Sequence, residues 1–565
     1  MLKGRKREGW FRCEDGSPSK RLRAACRDVF FQNALSAAEL GTNFLQPLSE
    51  LAPKRFEDFK AAGIQESASS RNTARDIRRA FLNGCKWPPT YQAKVRTWDP
   101  KLKQEVRTTM CFLLPHEMFA AIRQYTHGDR LFETGGLDTM AAAHLERCRR
   151  EAGCIRMLPV GLWTDGVPNN YDRSDSVELV QVNLPGLTGE FANLRIPMCA
   201  FPKSRMSAHT YHDCMEIARW SLVACALGIS PSVRHDGGAW QPSDAYRKRL
   251  SGKELGFQGA LVTVRGDWAA FKTTFGLPGW GEAGGCCWRC RCTPPHASDA
   301  RREAAWRGTT LPLADLLLRN MTAGVEPSPL LSAPFVRDLS VFRVDWLHCV
   351  DQGVALDWFG SVMWFLLSDS KYYPGAGREA RLDAMWRSIT SYYDRTGAQD
   401  RLHKLTTPMI KKNSTSAPKL KAMAGVCRAL AGWVAEECER LLPGGSALET
   451  TILEGTRHLQ ACYESLRKTV AFRRDLMTDR GVKFVLLYDA LATQLPRVFR
   501  CKPKLHLFLH LIEESDPKAN WTYRDEDWGG TASRVSRRRG GPLTTKSFSA
   551  NVLDRFRMEP LIRIQ

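Results

Sequence analysis

Met157-Leu158-Pro159-Val160-Gly161-Leu162-Trp163-Thr164-Asp165-Gly166 is apolar through Trp163 and then stops at a polar Thr-Asp-Gly signal. So short a run fits a buried strand better than a helix. Residues 177–182 alternate around Glu178 and Gln181 and end at Asn183-Leu184-Pro185. Residues 194–201 give a third strand, weakened by Pro197. Residues 207–227 read as a helix, with Met215, Trp220 and Leu222 on its core side. Residues 259–264 are a fourth strand, closed by Arg265-Gly266-Asp267. Three strands, a helix and another strand predict an α/β core with a mixed sheet. Asp165 and Asp267 both fall at predicted strand ends, where loops present reactive groups.

The flanks read differently. Residues 71–150 are expected to be helical, with Phe81, Phe112, Met118, Ile122 and Leu145 as apolar positions. Residues 301–500 read as mostly helical, over 304–320, 351–367, 378–393, 419–442, 451–473 and 482–495. The breaks are Pro374-Gly375 and Pro443-Gly444-Gly445, and 505–514 continues the helical pattern. Five segments follow: a basic arm at 1–70, a helical region at 71–150, the strand-rich core with its cysteines at 151–300, helices at 301–500, and the end of the core with a basic tail at 501–565. No internal repeat of fixed period is present.

Over 565 residues, Lys and Arg outnumber Asp and Glu by 82 to 60, a formal charge of +22. That excess favours a polyanionic partner, because each neutralised phosphate releases a condensed counterion. The 18 cysteines are scattered, unlike the dense framework of a small secreted domain. No apolar run with a cleavage site opens the sequence, and the longest apolar stretch, 358–367, falls short of the about 20 residues that cross a bilayer. Reduced thiols, no membrane and a cytosolic or nuclear location are therefore expected. Two basic clusters, Lys3-Arg5-Lys6-Arg7 and Lys20-Arg21-Arg23, suit a nuclear import signal or a phosphate-gripping arm.

Several constellations carry chemistry. Two-metal phosphodiester cleavage needs carboxylates that converge from separate segments, and Asp165 and Asp267 fit by position. The competing reading is turn chemistry, since Asp-Gly is above all a turn signal. Cys287 and Cys290, flanked by Cys286 and Cys292, offer half of a tetrahedral zinc site. His296, or His348 with Cys349, could supply the rest, and packed unligated cysteines are the plain alternative. His348 follows Asp345 in a segment that enters an apolar helix. By itself it reads as a core histidine beside a capping acid. His506 and His510 stand one helical turn apart and read as an interior helix face. The stretch 521–528 sets Asp525, Glu526 and Asp527 among aromatics, ahead of Arg534, Arg537, Arg538 and Arg539, which suit phosphate contacts.

In this order the pieces resemble the DDE/D transposases of the CACTA (En/Spm) superfamily. Asp165-Gly166-Val167-Pro168 looks like the first-acid motif, and Ser176 through Asn183-Leu184-Pro185 like the strand and turn that follow. Asp267 with Cys287-Trp288-Arg289-Cys290 is similar to the second acid and its Cys-x-x-Cys signature. Asp345 to Gly353 looks like the Asp-x-x-His segment. His506 to His510, then Trp521-Thr522-Tyr523 and Glu526, is similar to the late His-rich helix and Trp-x-Tyr-x-x-Glu element. The resemblance spans about 155–540 and lies in the order of short motifs.

The resemblance implies an RNase H-like mixed-sheet core interrupted by a large all-helical insertion. It implies Asp165 and Asp267 as the first two metal-binding acids and Glu526 as the third, with Asp525, Asp345 and Asp351 as alternatives. Cys287, Cys290 and His348 would form a structural zinc signature. The implied activity is Mg²⁺- or Mn²⁺-dependent DNA strand cleavage and strand transfer in the nucleus. The partners would be the double-stranded DNA of element ends and target, and further copies of the chain. Two features depart from the pattern: no N-terminal zinc finger or helix-turn-helix is evident, and Gly529-Gly530 with a short basic tail reads as a shortened end. A catalytically inactive transposase-derived DNA-binding protein and an unrelated zinc-binding scaffold remain the alternatives.

Overall fold

A computed structural model describes residues 86–557, apart from 126–128, 169–174, 283, 443, 468 and 537–543. The basic clusters of 1–70 and Arg537, Arg538 and Arg539 lie outside the described residues.

In the region expected to be helical, the first element among the described residues is a hairpin, β1 (Tyr91–Asp99) against β2 (Gln104–Phe112). The reason is a period of two: Tyr91, Ala93 and Val95 are buried while Gln92 and Lys94 are exposed. Lys103 takes a left-handed conformation, φ 52°, to close the turn. Helices follow it, α1 (Pro115–Tyr125) and α2 (Thr139–Ala152).

The central sheet has four strands in the order β5-β4-β3-β6. They are β3 (Met157–Pro168), β4 (Ser176–Asn183), β5 (Ile196–Pro202) and β6 (Gln258–Arg265). β3, β4 and β5 run antiparallel in sequence; α3 (Thr210–Leu227) then carries the chain across to β6, which lies parallel to β3. The mixed α/β sheet is thus the one that the apolar pattern predicts.

Two faces of the sheet are covered. Leu158, Val160 and Leu162 join the core shared with α3, through Met215, Ala218 and Leu222. On the other face Trp163, Val167, Val177 and Leu179 pack against Ala532, Phe548 and Val552. These last three come from α12 (Tyr523–Ser536) and α13 (Thr545–Arg557), so the C-terminal segment packs on the sheet. Just past β6, Asp267 caps α4 (Trp268–Phe275). A parallel bridge from Val264 to Phe342 brings 342–345 alongside the sheet.

Between the sheet and α12 stand the helices α5 (Leu313–Thr322), α6 (Ala355–Leu366), α7 (Arg378–Thr396), α8 (Ala424–Leu441), α9 (Ala447–Ser465), α10 (Arg474–Gln494) and α11 (Lys504–Glu514). Helix α5 starts later than the expected 304 because Trp306 is tied in a turn, its indole N–H donating to the Asp299 carbonyl at 2.9 Å. Ahead of α6, Leu347–Val354 winds as a π-helix. Such wide turns in an α-helical run are concentrated at functional sites.

Gly529 decides how closely α12 meets the sheet. A Cβ there would stand 2.5 Å from Val167 Cγ2. The Gly529-Gly530 pair is therefore no break: it lies inside α12, at its contact with β3. Gly529→Ala is expected to destabilise the fold by about 1–3 kcal/mol, as overpacking does, seen as a lower denaturation midpoint. An unchanged midpoint would show that α12 sits less tightly than this.

Candidate active site and metal centre

Asp165 lies within β3, opposite Leu179 of β4, so the strand does not end at it as expected. Nor is Asp165-Gly166 a turn. A Cβ at Gly166 would meet the Glu178 carboxylate at 2.6 Å, and that carboxylate is fixed by Tyr211 Oη (2.7 Å) and Ser176 Oγ (2.6 Å). Parallel pairing of Trp163 with Arg265 sets Asp165 and Asp267 two residues beyond the same rung of adjacent strands. Asp267 Oδ1 accepts from the Ala270 N–H at 2.5 Å, so one of its oxygens serves as the cap of α4.

Glu526 arrives from α12. On that helix Asp525, Gly529, Ala532 and Ser536 face inward. Glu526, about 100° round the helix axis, faces Asp165 instead. Both acids meet His348 Nε2, Asp165 Oδ2 at 3.2 Å and Glu526 Oε1 at 3.3 Å. The other ring nitrogen, Nδ1, lies 2.8 Å from Asp345 Oδ2. Asp345 Oδ1 accepts from the His348 N–H at 3.2 Å and from Thr522 Oγ1 at 3.0 Å. Asp165, His348 and Glu526 each offer one ligand atom, all within 4.8 Å of one another. Glu526 Oε1 is buried with His348 Nε2 as its polar neighbour, and a carboxylate oxygen keeps a further lone pair that a cation can take up.

The electrostatics are those of crowded acids. Burial, and then the charge of Glu526, raise the carboxyl of Asp165 against the pull of His348. Burial and the charge of Asp165 likewise raise that of Asp267. Burial alone would lower His348, but Asp345, Asp165 and Glu526 hold it well above the ordinary histidine value. Such shifts cluster at functional sites; a bound cation would relieve the repulsion between the carboxyls and take the place of the proton that they hold on His348.

The alternative third acids have other work. Asp525 is buried and accepts from Arg195 Nε (2.6 Å) and Arg265 NH2 (3.3 Å). Asp351 accepts from the Trp346 indole (3.1 Å), from Tyr463 Oη (2.6 Å) and from Tyr523 Oη, and burial pushes its carboxyl up to about 6. Asp345 orients His348. Among the four, Glu526 alone reaches Asp165.

His348 does not join the cysteines, contrary to expectation, because Asp345 anchors it toward the acids. Cys287 and Cys290 are completed by His506 and His510 of α11, which the sequence reading left as an interior face. His296 is exposed and apart from them. Cys287 Sγ lies 3.6 Å from His510 Nε2, Cys290 Sγ 3.2 Å from His506 Nε2, and the two Nε2 atoms 3.2 Å apart. Around a tetrahedral zinc, bonds of about 2.3 Å to sulfur and 2.0–2.1 Å to nitrogen imply S···N edges near about 3.5 Å and N···N edges near about 3.3 Å. The quartet fits.

Its surroundings fit too. His510 Nδ1 lies 3.3 Å from Glu514 Oε1, which Arg289 Nε holds at 3.0 Å. That carboxylate orients the imidazole as an outer-shell partner of a metal ligand does. Trp306 packs on His506 and His510 with ring centroids 4.7 and 5.2 Å away. Burial raises the Cys287 thiol, but Cys290, His510 and His506 outweigh it and hold it well below its ordinary value. A ready thiolate is what a metal needs.

Arg534 is exposed on α12 and donates to Thr531 Oγ1 at 2.9 Å. No described helix is long and apolar enough to cross a membrane. No protein-family model matches the chain, and no curated protein matches it.

Proposed function

We propose that the protein is a DDE/D transposase-like enzyme that cuts DNA strands with divalent cations and joins the freed 3′-hydroxyls to target DNA. One observation carries this reading: Asp165 of β3 and Glu526 of α12 meet at one point, with Asp267 at the end of the neighbouring parallel strand. The sheet supports an RNase H-like core, since three antiparallel strands are followed by a helix and a strand parallel to the first. The helices α5 to α11 stand before the last acid, where the resemblance places an insertion.

Asp165, His348 and Glu526 would hold one cation, and Asp267 with Asp165 a second. Carboxylate oxygens suit Mg²⁺, and the imidazole makes Mn²⁺ the better match. Bound there, the cations would polarise the phosphoryl group and lower the pKa of a water or 3′-hydroxyl. Asp345 and Thr522 keep His348 in place, and α12 delivers Glu526. Cys287, Cys290, His506 and His510 would hold zinc with no open position, which makes that site structural. Nuclear work as a homo-oligomer accompanies this reading.

A nicking assay with Mn²⁺ and Mg²⁺ tests it. The parent is expected to nick duplex DNA, and Asp165→Asn and Asp267→Asn to lose the activity. Asn caps helices about as well as Asp, so Asp267→Asn keeps α4 and reports on the charge. Equal nicking by parent and both variants would sink the assignment. DNA binding without nicking by the parent would favour the non-catalytic alternative.

A further inference from the structure

Beside the acids, two ammonium groups from separate places meet at one carboxylate, and a third stands nearby. Asp357 of α6 is buried, with Lys502 Nζ 2.6 Å and Lys419 Nζ 3.7 Å from its Oδ1. Lys419 Nζ also donates to the Gln352 carbonyl at 3.2 Å, and Lys504 Nζ to the His348 carbonyl at 2.6 Å. One carboxylate cannot balance both Lys419 and Lys502. Burial lowers Lys419 from the ordinary lysine value, and Lys504 and Lys502 push the same way against Asp357. Like charges gathered around too little counter-charge are what an incoming anion stabilises.

A second observation points outward from the same spot. From 401 to 435 the sequence holds no acidic residue, but carries Lys404, Lys411, Lys412, Lys419, Lys421 and Arg428. Lys419 N donates to Ile410 O at 2.8 Å and Lys421 N to Met409 O at 2.7 Å, closing 411–418 into a loop. Lys412, Asn413, Ser414 and Thr415 are exposed on it, as is Lys421 at its base. Further along, Arg428 lies over the rings of Trp521 and Tyr523, 5.1 and 5.2 Å from their centroids, at the start of the helix that bears Glu526. This acid-free segment thus approaches the carboxylate site from two directions.

We propose that Lys412, Lys419, Lys421, Lys502 and Lys504 form the track that grips the sugar-phosphate backbone of duplex DNA beside the carboxylates, a backbone phosphate supplying the missing counter-charge between Lys419 and Lys502. The site rests on the proposed function in taking DNA as the substrate. It places the grip on lysines of the helical region, where the sequence reading placed it on Arg534 and the arginines after it. Hydroxyl and amide side chains of the 411–418 loop add uncharged phosphate donors, as backbone-positioning surfaces commonly do.

Salt-dependent binding of the full chain to a short labelled DNA duplex tests the track. Lys419→Gln with Lys502→Gln is expected to flatten the slope of log K against log[salt] by about 0.9, since the two lysines share one phosphate and each lost phosphate contact removes about that much. Lys412→Gln with Lys421→Gln, at exposed positions that leave Asp357 paired, is expected to act in the same direction and decides the matter if the first pair disturbs folding. Lys419→Arg with Lys502→Arg should keep the parent slope. A parent that binds duplex while both Gln pairs keep its slope and affinity overturns the track and leaves the enzyme reading standing. A parent that binds no duplex at all overturns both.

Discussion

Glu526→Gln is expected to remove metal-dependent strand cleavage while leaving the fold intact, and Asp525→Asn, one residue earlier, to do the reverse. The two side chains differ in what they touch. Glu526 is part-exposed, and its contact is His348 in the acid cluster, 3.3 Å from its Oε1. Losing its charge removes a cation ligand but breaks no packing. A loss of at least about 10²–10³-fold is expected, the usual effect of deleting one stabiliser of transition-state charge. Asp525 sits fully buried between Arg195 and Arg265, which are themselves nearly buried. Removing one partner of a buried ion pair costs about 3–5 kcal/mol, and here two guanidinium groups lose their shared anion. Nicking rates together with urea midpoints for both variants give a two-by-two result. If Asp525→Asn folds normally and abolishes cleavage while Glu526→Gln does neither, the third acid is Asp525 and the reading of α12 is wrong.

That pair also shows what the sequence could and could not reveal. Four strands and most helices are legible because burial writes a local pattern. The run 157–163 is apolar, 177–182 alternates, and both lie inside observed strands. The same rule was there to be read at Tyr91, Ala93 and Val95, but Phe112 and Met118 drew the eye to a helical spacing that spans two elements. Adjacent acids on one helix are harder. Asp525 and Glu526 differ by about 100° of rotation, and only the position of β3 and the two arginines tells which faces inward. Contacts between distant segments leave no local trace at all. Asp345 and His348 are three residues apart and their contact is local, yet nothing nearby says that His348 turns toward Asp165. Cys290 and His506 stand 216 residues apart, so two half-sites looked like a lone pair and a helix face. The lysines at 419 and 502 are single cations in a basic chain, and only the fold brings Asp357 of α6 to both.

Loss of the Cys/His quartet is expected to have the largest effect on stability. The parent should carry one zinc per chain by elemental analysis, and Cys290→Ser and His506→Ala should carry none. In small zinc domains the metal contributes about 10–16 kcal/mol at neutral pH. Here part of α11 is held independently, because Leu505, Phe508, Leu509 and Ile512 are buried in the main core. The expected loss is therefore smaller, at least about 3 kcal/mol, though still above the median of about 1 for point changes. Chelator should lower the thermal midpoint of the parent and leave that of Cys290→Ser unchanged. Cys286→Ser is the matched control: its thiol is equally buried and lies next in sequence to Cys287, but outside the quartet. Zinc retained by Cys290→Ser, or lost equally from Cys286→Ser, would show that the four named side chains do not form the site. The consequence reaches the acids, because α11 begins at Lys504, whose ammonium holds the His348 carbonyl. Cys287 and Cys290 follow α4, the helix that Asp267 caps. A metal clamped between these segments would fix the spacing of Asp267 and His348 from both sides. Cleavage by the metal-free protein is accordingly expected to fall even at temperatures where most of the chain stays folded, and zinc, not added Mn²⁺, should restore it.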